Sequence, residues 1–234
     1  VISGKVVHQT PSSRWYSGSG IYRDVELIVT DAVHVSRNGT YVTTPNLATE
    51  KDGDVTVKVQ TDVQNDSSAQ AAAQIRTTVL DAEGKAVSKA VTTDVTLAAN
   101  STAEKEQTLT VNKPALWSTE NPNLYYVQTE VLVDGKVKDT YKTTYGFRYI
   151  NFDANTGFSL NGKNVKLKGV CMHHDQGALG AASERDAVYR QVKKLKEMGC
   201  NAIRTSHNTP SSVLLEACNE LGMMVMDETF DGWA

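Results

Sequence analysis

The sequence contains few cysteines, few aromatic residues and no excess of either charge. Its 234 residues include three cysteines, 7% aromatic residues and 24 basic against 27 acidic side chains. Cys171, Cys200 and Cys218 are an odd number at wide spacings and fit neither a disulfide framework nor a zinc site. Each lies among apolar residues, so the sequence predicts three small core side chains.

Long runs of one residue class are also absent. Like charges never extend beyond a few consecutive residues, so we predict no nucleic-acid partner and no binding to an anionic membrane. No apolar run approaches the length that crosses a bilayer, so we predict no membrane span. The chain opens at Val1 without a leader, so we expect any targeting segment to lie outside it. Periplasmic, secreted and cytoplasmic locations all stay compatible with this composition.

The first region, residues 1–30, is predicted to be the tail of a domain. Residues 11–20 are rich in Pro, Ser and Gly, which is typical of a loop. Residues 21–29 alternate between apolar and polar, as in a half-buried strand. Because a strand needs partners and little sequence precedes this one, we expect the rest of its sheet upstream.

The second region, residues 31–148, is predicted to be a β-sandwich of immunoglobulin type. Six strand-like runs lie at 55–63, 74–80, 90–97, 107–111, 124–133 and 137–145. Asn38-Gly39 is a turn signal, and Asp134-Gly135, between two of the runs, predicts a hairpin. Short strands at this density are typical of such a sandwich. No carboxylates, histidines or nucleophile gather in this region, so we predict a spacer or packing domain.

The third region, residues 149–234, changes its hydrophobic period. A hairpin around Asn161-Gly162 precedes an apolar strand, and two amphipathic helical segments then alternate with two further apolar strands. Strands that alternate with helices predict a parallel sheet, either doubly wound or the opening of a (β/α) barrel. In both folds, ligands bind at the carboxyl ends of the strands.

Polar side chains follow each of these three strands. They are His173, His174 and Asp175 after the first, Arg204 and His207 at the second, and Asp227 and Glu228 after the third. Three histidines and an arginine at one edge of a sheet favour a polar ligand. The alternative is that Arg204 is a structural residue paired with Asp227 or Glu228. No ligand set is complete and no nucleotide-binding motif occurs, so we predict no metal and no cofactor.

Four tracts resemble glycoside hydrolase family 2, with its β-galactosidase branch the nearest match. They are RWYSGSGIYRDV at 14–25, LWSTENPNLY at 116–125, KGV at 168–170, and NAIRTSH at 201–207 followed by Asp227-Glu228. The resemblance covers nearly the whole chain in the family's domain order. It implies the tail of a sugar-binding jelly-roll domain at 1–30, an immunoglobulin-like sandwich at 31–148, and the first part of a catalytic (β/α)₈ TIM barrel at 149–234.

The resemblance also implies roles for five residues. Arg204 and His207 would line the sugar pocket, with His173 beside them. Arg14 and Trp15 would contact a subsite from the first domain. A pyranose needs charged donors and acceptors at fixed angles around its hydroxyls, and Arg and His provide them.

Retaining hydrolysis needs two carboxyl groups about 5 Å apart. In the family both are glutamates on the fourth and seventh barrel strands, so the resemblance places them beyond Ala234 and implies that this chain alone is inactive. Asp227 and Glu228 do not replace them, because they follow the third strand and adjacent strand residues face opposite sides. The residues after Glu228 also lack the magnesium ligands of the metal-dependent branch.

The expected function is therefore that of a fragment of a retaining β-galactosidase, with a β-galactoside or oligosaccharide as its partner. A β-glucuronidase or β-mannosidase of the same family and a non-catalytic carbohydrate-binding or scaffold module are the alternatives. An incomplete barrel would leave the apolar faces around Val188, Val192 and Leu214 without partners. We therefore expect a homo-oligomer formed by self-association, or local disorder after about residue 165.

Overall fold

A computed structural model describes residues 3–7, 20–50 and 53–230, and it contains a β-sandwich followed by an α/β portion. The three-stranded sheet of the sandwich has the order β1 (Val33–Thr43), β2 (Asp54–Asn65) and β5 (Ser101–Asn112). The four-stranded sheet has the order β4 (Val91–Leu97), β3 (Ala71–Leu80), β6 (Tyr125–Val133) and β7 (Lys136–Tyr145). All neighbouring strands pair antiparallel. This is the architecture that the alternating runs predict.

The core of the sandwich lies between the two sheets. Val57 and Val59 of β2 are fully buried, as are Val79 of β3 and Val127 of β6. These side chains form one apolar cluster with Phe147, whose ring meets the Tyr125 and Tyr145 rings edge-on. Because every second residue of these strands points inward, the apolar residues at alternate positions form the packed interface between the two sheets.

The prediction of a turn at Asn38-Gly39 is wrong. The pair lies inside β1, where the register against β2 shifts between Val35 and Thr40. Asn38 has a φ of 55°, and a Cβ on Gly39 would lie 2.7 Å from the Ser36 carbonyl oxygen. Asn38, at positive φ, and Gly39 form a bulge here, and the strand continues beyond it. Asp134-Gly135 does form the hairpin between β6 and β7, with φ values of 51° and 71°.

The α/β portion begins with a small antiparallel sheet of β8 (Ile150–Asp153), β9 (Gly157–Leu160) and β10 (Lys163–Asn164). Asn161 and Gly162 connect the last two strands with φ values of 52° and 75°, as the hairpin prediction requires. A parallel sheet follows, with the order β11 (Gly169–Met172), β12 (Ala202–Thr205) and β13 (Met224–Met226). Helices α1 (Arg185–Glu197) and α2 (Ser212–Leu221) connect its strands, after a 3₁₀ turn at Gly177–Leu179.

The helices cover one face of the parallel sheet. Val188 and Val192 of α1 pack with Leu214 of α2, with Ile203 of β12 and with Met223, and all five are buried. The expectation that these apolar faces lack partners is therefore wrong, because the two helices and the sheet cover one another. Because these faces are covered, they give no reason to expect self-association. Within the described part of the chain, no helix has the length and apolarity needed to cross a membrane.

The loop between β5 and β6 joins the sandwich to the α/β portion. Trp117 is buried with Leu160 and Met224, and its Nε1–H donates to the Asn219 carbonyl oxygen at 2.8 Å. Asn161 Nδ2 donates to the Trp117 carbonyl oxygen at 2.9 Å. These contacts lie at the end of the parallel sheet opposite to the carboxyl ends of its strands, so they support the sheet without occupying that edge.

The prediction of a half-buried strand at residues 21–29 is wrong for the described structure. The segment forms no strand, and Ile21, Val25, Leu27 and Val29 are between 79% and 90% exposed. Alternation alone does not form a strand, because the backbone groups need a neighbouring strand and none of the described residues supplies one. The assignment of residues 1–30 to a jelly-roll domain stays a prediction.

Candidate functional site

The carboxyl ends of β11, β12 and β13 bring most of the predicted site residues together. Cys171, Arg204 and Met226 are side by side in the parallel register. The chain then leaves each strand through a loop, and these loops carry His173, His207 and Glu228. We call Cys171, His173, Arg204, His207 and Glu228 the strand-end cluster. Arg14 and Trp15 lie outside the described residues.

Arg204 is ion-paired with Glu228 at the centre of this cluster. Its Nε and Nη2 both lie 2.6 Å from Glu228 Oε1. The Glu228 side chain is 22% exposed and that of Arg204 is 38% exposed, and the Glu228 N–H donates to Thr205 Oγ1 at 2.9 Å. The sequence left open whether Arg204 pairs with Asp227 or Glu228, and the structure shows Glu228. Glu228 thereby fixes the guanidinium plane.

His207 lies against both members of this pair. Its Nδ1 is 3.2 Å from Glu228 Oε2 and 3.4 Å from Arg204 Nη2. The guanidinium can only donate and the carboxylate can only accept, so Nδ1 serves one of them at a time. The shorter distance and the charge on the acceptor favour an Nδ1–H that donates to Glu228. The Nε2 of His207 is then left as an acceptor for a ligand hydroxyl.

His173 completes one side of the cluster. Its ring meets the His207 ring edge-on, with 5.3 Å between the centroids and 81° between the planes. Burial lowers the pKa of His173, and the nearby His207 and Arg204 lower it further. His173 is therefore mainly neutral at pH 7, and a neutral imidazole offers a ligand one donor and one acceptor.

Cys171 is the cluster member that the sequence assigned differently. It is exposed, and Arg204 Nη1 donates to its Sγ at 3.3 Å. This hydrogen bond lowers the pKa of the Cys171 thiol. The prediction of a small core residue is wrong for Cys171, because its side of β11 faces the polar edge. It is confirmed for Cys218, which is buried and whose thiol pKa is raised to about 12 by burial.

A short segment far upstream also reaches this edge. The Tyr22 ring lies 5.9 Å from the His174 ring, and Arg23 Nη2 donates to the Thr209 carbonyl oxygen. The sequence suggested a strand here, so it did not indicate this contact. Beneath His174, a cavity of about 20 Å³ is lined partly by Gln176 and is the size of one water molecule.

The described residues contain no group of three or more His, Cys, Asp or Glu side chains placed to hold a metal ion. The cluster instead presents one guanidinium, one carboxylate, two imidazoles and one thiol. These groups can donate to and accept from several hydroxyls at fixed angles, which suits a neutral polyhydroxylated ligand.

Two family models match the chain. Residues 33–148 match the model described as glycosyl hydrolases family 2, and residues 154–231 match glycosyl hydrolases family 2, TIM barrel domain. The two matches follow the boundary between the sandwich and the α/β portion. Strands β11 to β13 and their helices therefore correspond to the start of a TIM barrel.

Individual relatives agree with these matches. The β-galactosidase BoGH2A of Bacteroides ovatus is 42% identical over 225 residues, which are 96% of this chain and 26% of the relative. A crystal structure of a glycosyl hydrolase family 2 member from Bacteroides cellulosilyticus superposes with a TM-score of 0.88 at 43% identity, covering 94% of this chain and 30% of that one.

A third relative carries a different activity in its name. The crystal structure of a β-glucuronidase from Bacteroides uniformis superposes with a TM-score of 0.78 at 30% identity, covering 86% of this chain and 24% of that one. The chain thus spans between 24% and 30% of the length of these three relatives.

Proposed function

Because the chain belongs to glycosyl hydrolase family 2 and carries the family's sandwich and the start of its TIM barrel, we propose that it is part of a retaining β-galactosidase. In this proposal, the strand-end cluster is one wall of the pocket that holds the terminal β-D-galactose. The observation that carries the proposal is the pairing of Arg204 with Glu228, which holds a guanidinium and the His207 ring at one edge of the barrel.

The charge of the cluster supports a neutral sugar. The carboxylate of Glu228 compensates the positive charge of Arg204 at 2.6 Å, and His173 is mainly neutral at pH 7. A uronate would require a cation that is not already paired, because its carboxylate must be desolvated on binding. A galactoside requires only hydrogen bonds, and the imidazoles and guanidinium provide these.

The cluster holds the sugar in this proposal but does not cleave it. Retaining hydrolysis uses one carboxyl group as acid and base and a second as nucleophile, about 5 Å apart. Glu228 is engaged by both Arg204 and His207, so it is poorly suited to attack the anomeric carbon. We infer that the two catalytic glutamates come from later barrel strands outside these 234 residues, which would make the chain by itself inactive.

A second candidate is a β-glucuronidase, which the Bacteroides uniformis structure favours. It would need a binding group for the sugar carboxylate on a barrel strand outside this chain. The discriminating experiment measures kcat/KM of the natural gene product on 4-nitrophenyl β-D-galactoside and on the matching β-D-glucuronide. We expect the galactoside to be preferred, and a higher kcat/KM on the glucuronide would overturn the proposed substrate.

The 234-residue chain alone is the control for the source of the catalytic groups. It should not release nitrophenol from the galactoside. Turnover that persists through purification and in an Arg204→Ala variant would contradict the inference that the catalytic glutamates lie elsewhere.

A further inference from the structure

We propose that Tyr22 and Arg23 are positioning residues of the sugar site, which tie together the loops that follow β11 and β12. This inference rests on the proposed function only for its effect on the sugar. Tyr22 and Arg23 belong to a segment that precedes the sandwich. They contact two loops that lie more than 150 residues later in the sequence, after β11 and after β12.

The exposure of the segment shows that its contact is local. From residue 20 to residue 32, Arg23 is the one position that is not classed as exposed. Its neighbours Ile21 and Val25 are 81% and 79% exposed. The segment therefore does not pack as a strand or through an apolar face, and its contact depends on Tyr22 and Arg23.

Tyr22 holds the loop after β11. Its carbonyl oxygen accepts from the N–H of Ser183 at 3.0 Å, at the far end of that loop. Its ring contacts the ring of His174 at the near end, with 5.9 Å between the centroids and 53° between the planes. The Nε2 of His174 is buried and has no hydrogen-bonding partner among the described atoms. Tyr22 thus contacts both ends of the loop that carries His173.

Arg23 holds the loop after β12. Its Nη2 donates to the carbonyl oxygen of Thr209, two residues after His207. Its guanidinium carbon lies 5.1 Å from the centroid of the Tyr22 ring, so the cation lies over the ring that contacts His174. Arg23, Tyr22 and His174 form one continuous series of contacts between the two loops.

These contacts restrain the two loops relative to each other. His173 lies on one loop and His207 on the other, and their edge contact at 5.3 Å depends on the separation of the loops. Where β11 and β12 end, at Met172 and Thr205, one backbone hydrogen bond joins the Ser206 N–H to the Met172 carbonyl oxygen at 3.0 Å. The contacts of Arg23 with Thr209 and of Tyr22 with His174 add a second restraint further along the two loops.

Removing the restraint should weaken sugar binding more than it weakens catalysis. His173 and His207 contact the sugar in both the ground state and the transition state, so a looser geometry raises KM with a smaller change in kcat. For Arg23→Ala in the natural enzyme, we expect KM for 4-nitrophenyl β-D-galactoside to rise about tenfold. A role limited to stability would lower the melting temperature and leave KM unchanged.

Two further variants make the test specific. The hydrogen bond to Thr209 uses one nitrogen of Arg23, and an ammonium group can also lie over the Tyr22 ring, so Arg23→Lys should restore most of the affinity. Ile21→Ala changes an exposed neighbour and should leave KM within twofold of the natural value. An unchanged KM in Arg23→Ala would overturn the proposal, as would a tenfold rise in Ile21→Ala.

A measurement without substrate separates this inference from the proposed function. Hydrogen exchange on the same whole proteins should be faster in Arg23→Ala at residues 173–183 and 205–210, and unchanged in the sandwich strands. If the enzyme proves inactive on galactosides, the proposed function fails while this result still decides the inference. Unchanged exchange in both loops would overturn it.

Discussion

Polar side chains are buried in the core of the sandwich but partly exposed in the strand-end cluster of the barrel. In the sandwich, Gln107 is 3% exposed and bridges the two sheets. Its Nε2 donates to the Ile75 and Val91 carbonyl oxygens, and its Oε1 accepts from Thr77 Oγ1 at 2.6 Å. At the barrel edge, Arg204 is paired with Glu228, but both side chains stay partly exposed.

This difference means that the sandwich contributes mainly to folding stability, whereas the barrel edge offers groups for binding a ligand. A buried polar group with every partner in place specifies one packing and has no capacity left for a ligand. A half-exposed ionic cluster contributes little to the free energy of folding, because water screens it, yet it keeps donors and acceptors available. Substitutions in the two regions should therefore change different measured quantities.

The largest effect on stability is expected at Phe147. Its ring is fully buried between Tyr125 and Tyr145 in the sandwich core. Phe147→Ala should reduce the free energy of unfolding by about 3–5 kcal/mol, measured by urea denaturation. The matched control, Phe152→Ala, removes a ring that is 73% exposed and should cost about 0.5 kcal/mol or less. Equal losses in the two variants would break the comparison.

A smaller loss is expected at Gln107. Gln107→Leu keeps the volume but leaves the Thr77 hydroxyl and the Ile75 carbonyl oxygen buried without this partner. The free energy of unfolding should fall by about 1–3 kcal/mol. The KM of the natural enzyme for a galactoside should not change, since Gln107 lies within the sandwich. A changed KM with an unchanged free energy of unfolding would contradict the view that the sandwich determines stability and the barrel edge determines binding.

The smallest effect is expected from pH. Burial lowers the pKa of His173 and of His174, and neighbouring histidine and arginine side chains lower each pKa further. In the unfolded chain both take up protons near the ordinary histidine pKa of about 6.5, while the folded protein resists. The free energy of unfolding should therefore fall as the pH drops below about 6.5. Urea midpoints at pH 7.5 and 5.5 measure this, and a midpoint that rises at pH 5.5 would contradict it.

Sequence patterns predicted the sandwich better than the site. The alternation of apolar and polar residues predicted β2 and β3 correctly, because every second residue of each strand is buried and this pattern is visible within the strand itself. The same alternation misled at residues 21–29, because a strand exists only where a neighbour accepts its hydrogen bonds. The Asn38-Gly39 signal was misread because positive φ serves a bulge as well as a turn.

The site itself was predictable only in part. The rule that ligands bind at the carboxyl ends of parallel strands placed Arg204, His207 and His173 together, and the structure confirms that grouping. Which carboxylate pairs with Arg204 depends on loop geometry after β13, which the sequence does not encode locally. The contact of Arg23 with Thr209 joins residues 186 positions apart, and no periodicity signals it.

The central claim is that Arg204 acts on the sugar and is more than a structural partner of Glu228. The most direct test compares Arg204→Ala with Arg185→Ala in the natural enzyme, because Arg185 is also ion-paired, with Glu216 at 2.6 Å on the helical face of the barrel. We predict that Arg204→Ala lowers kcat/KM for the galactoside about 10- to 100-fold, with a melting temperature close to that of Arg185→Ala. A kcat/KM within twofold of the natural enzyme, or a loss explained entirely by unfolding, would contradict the claim.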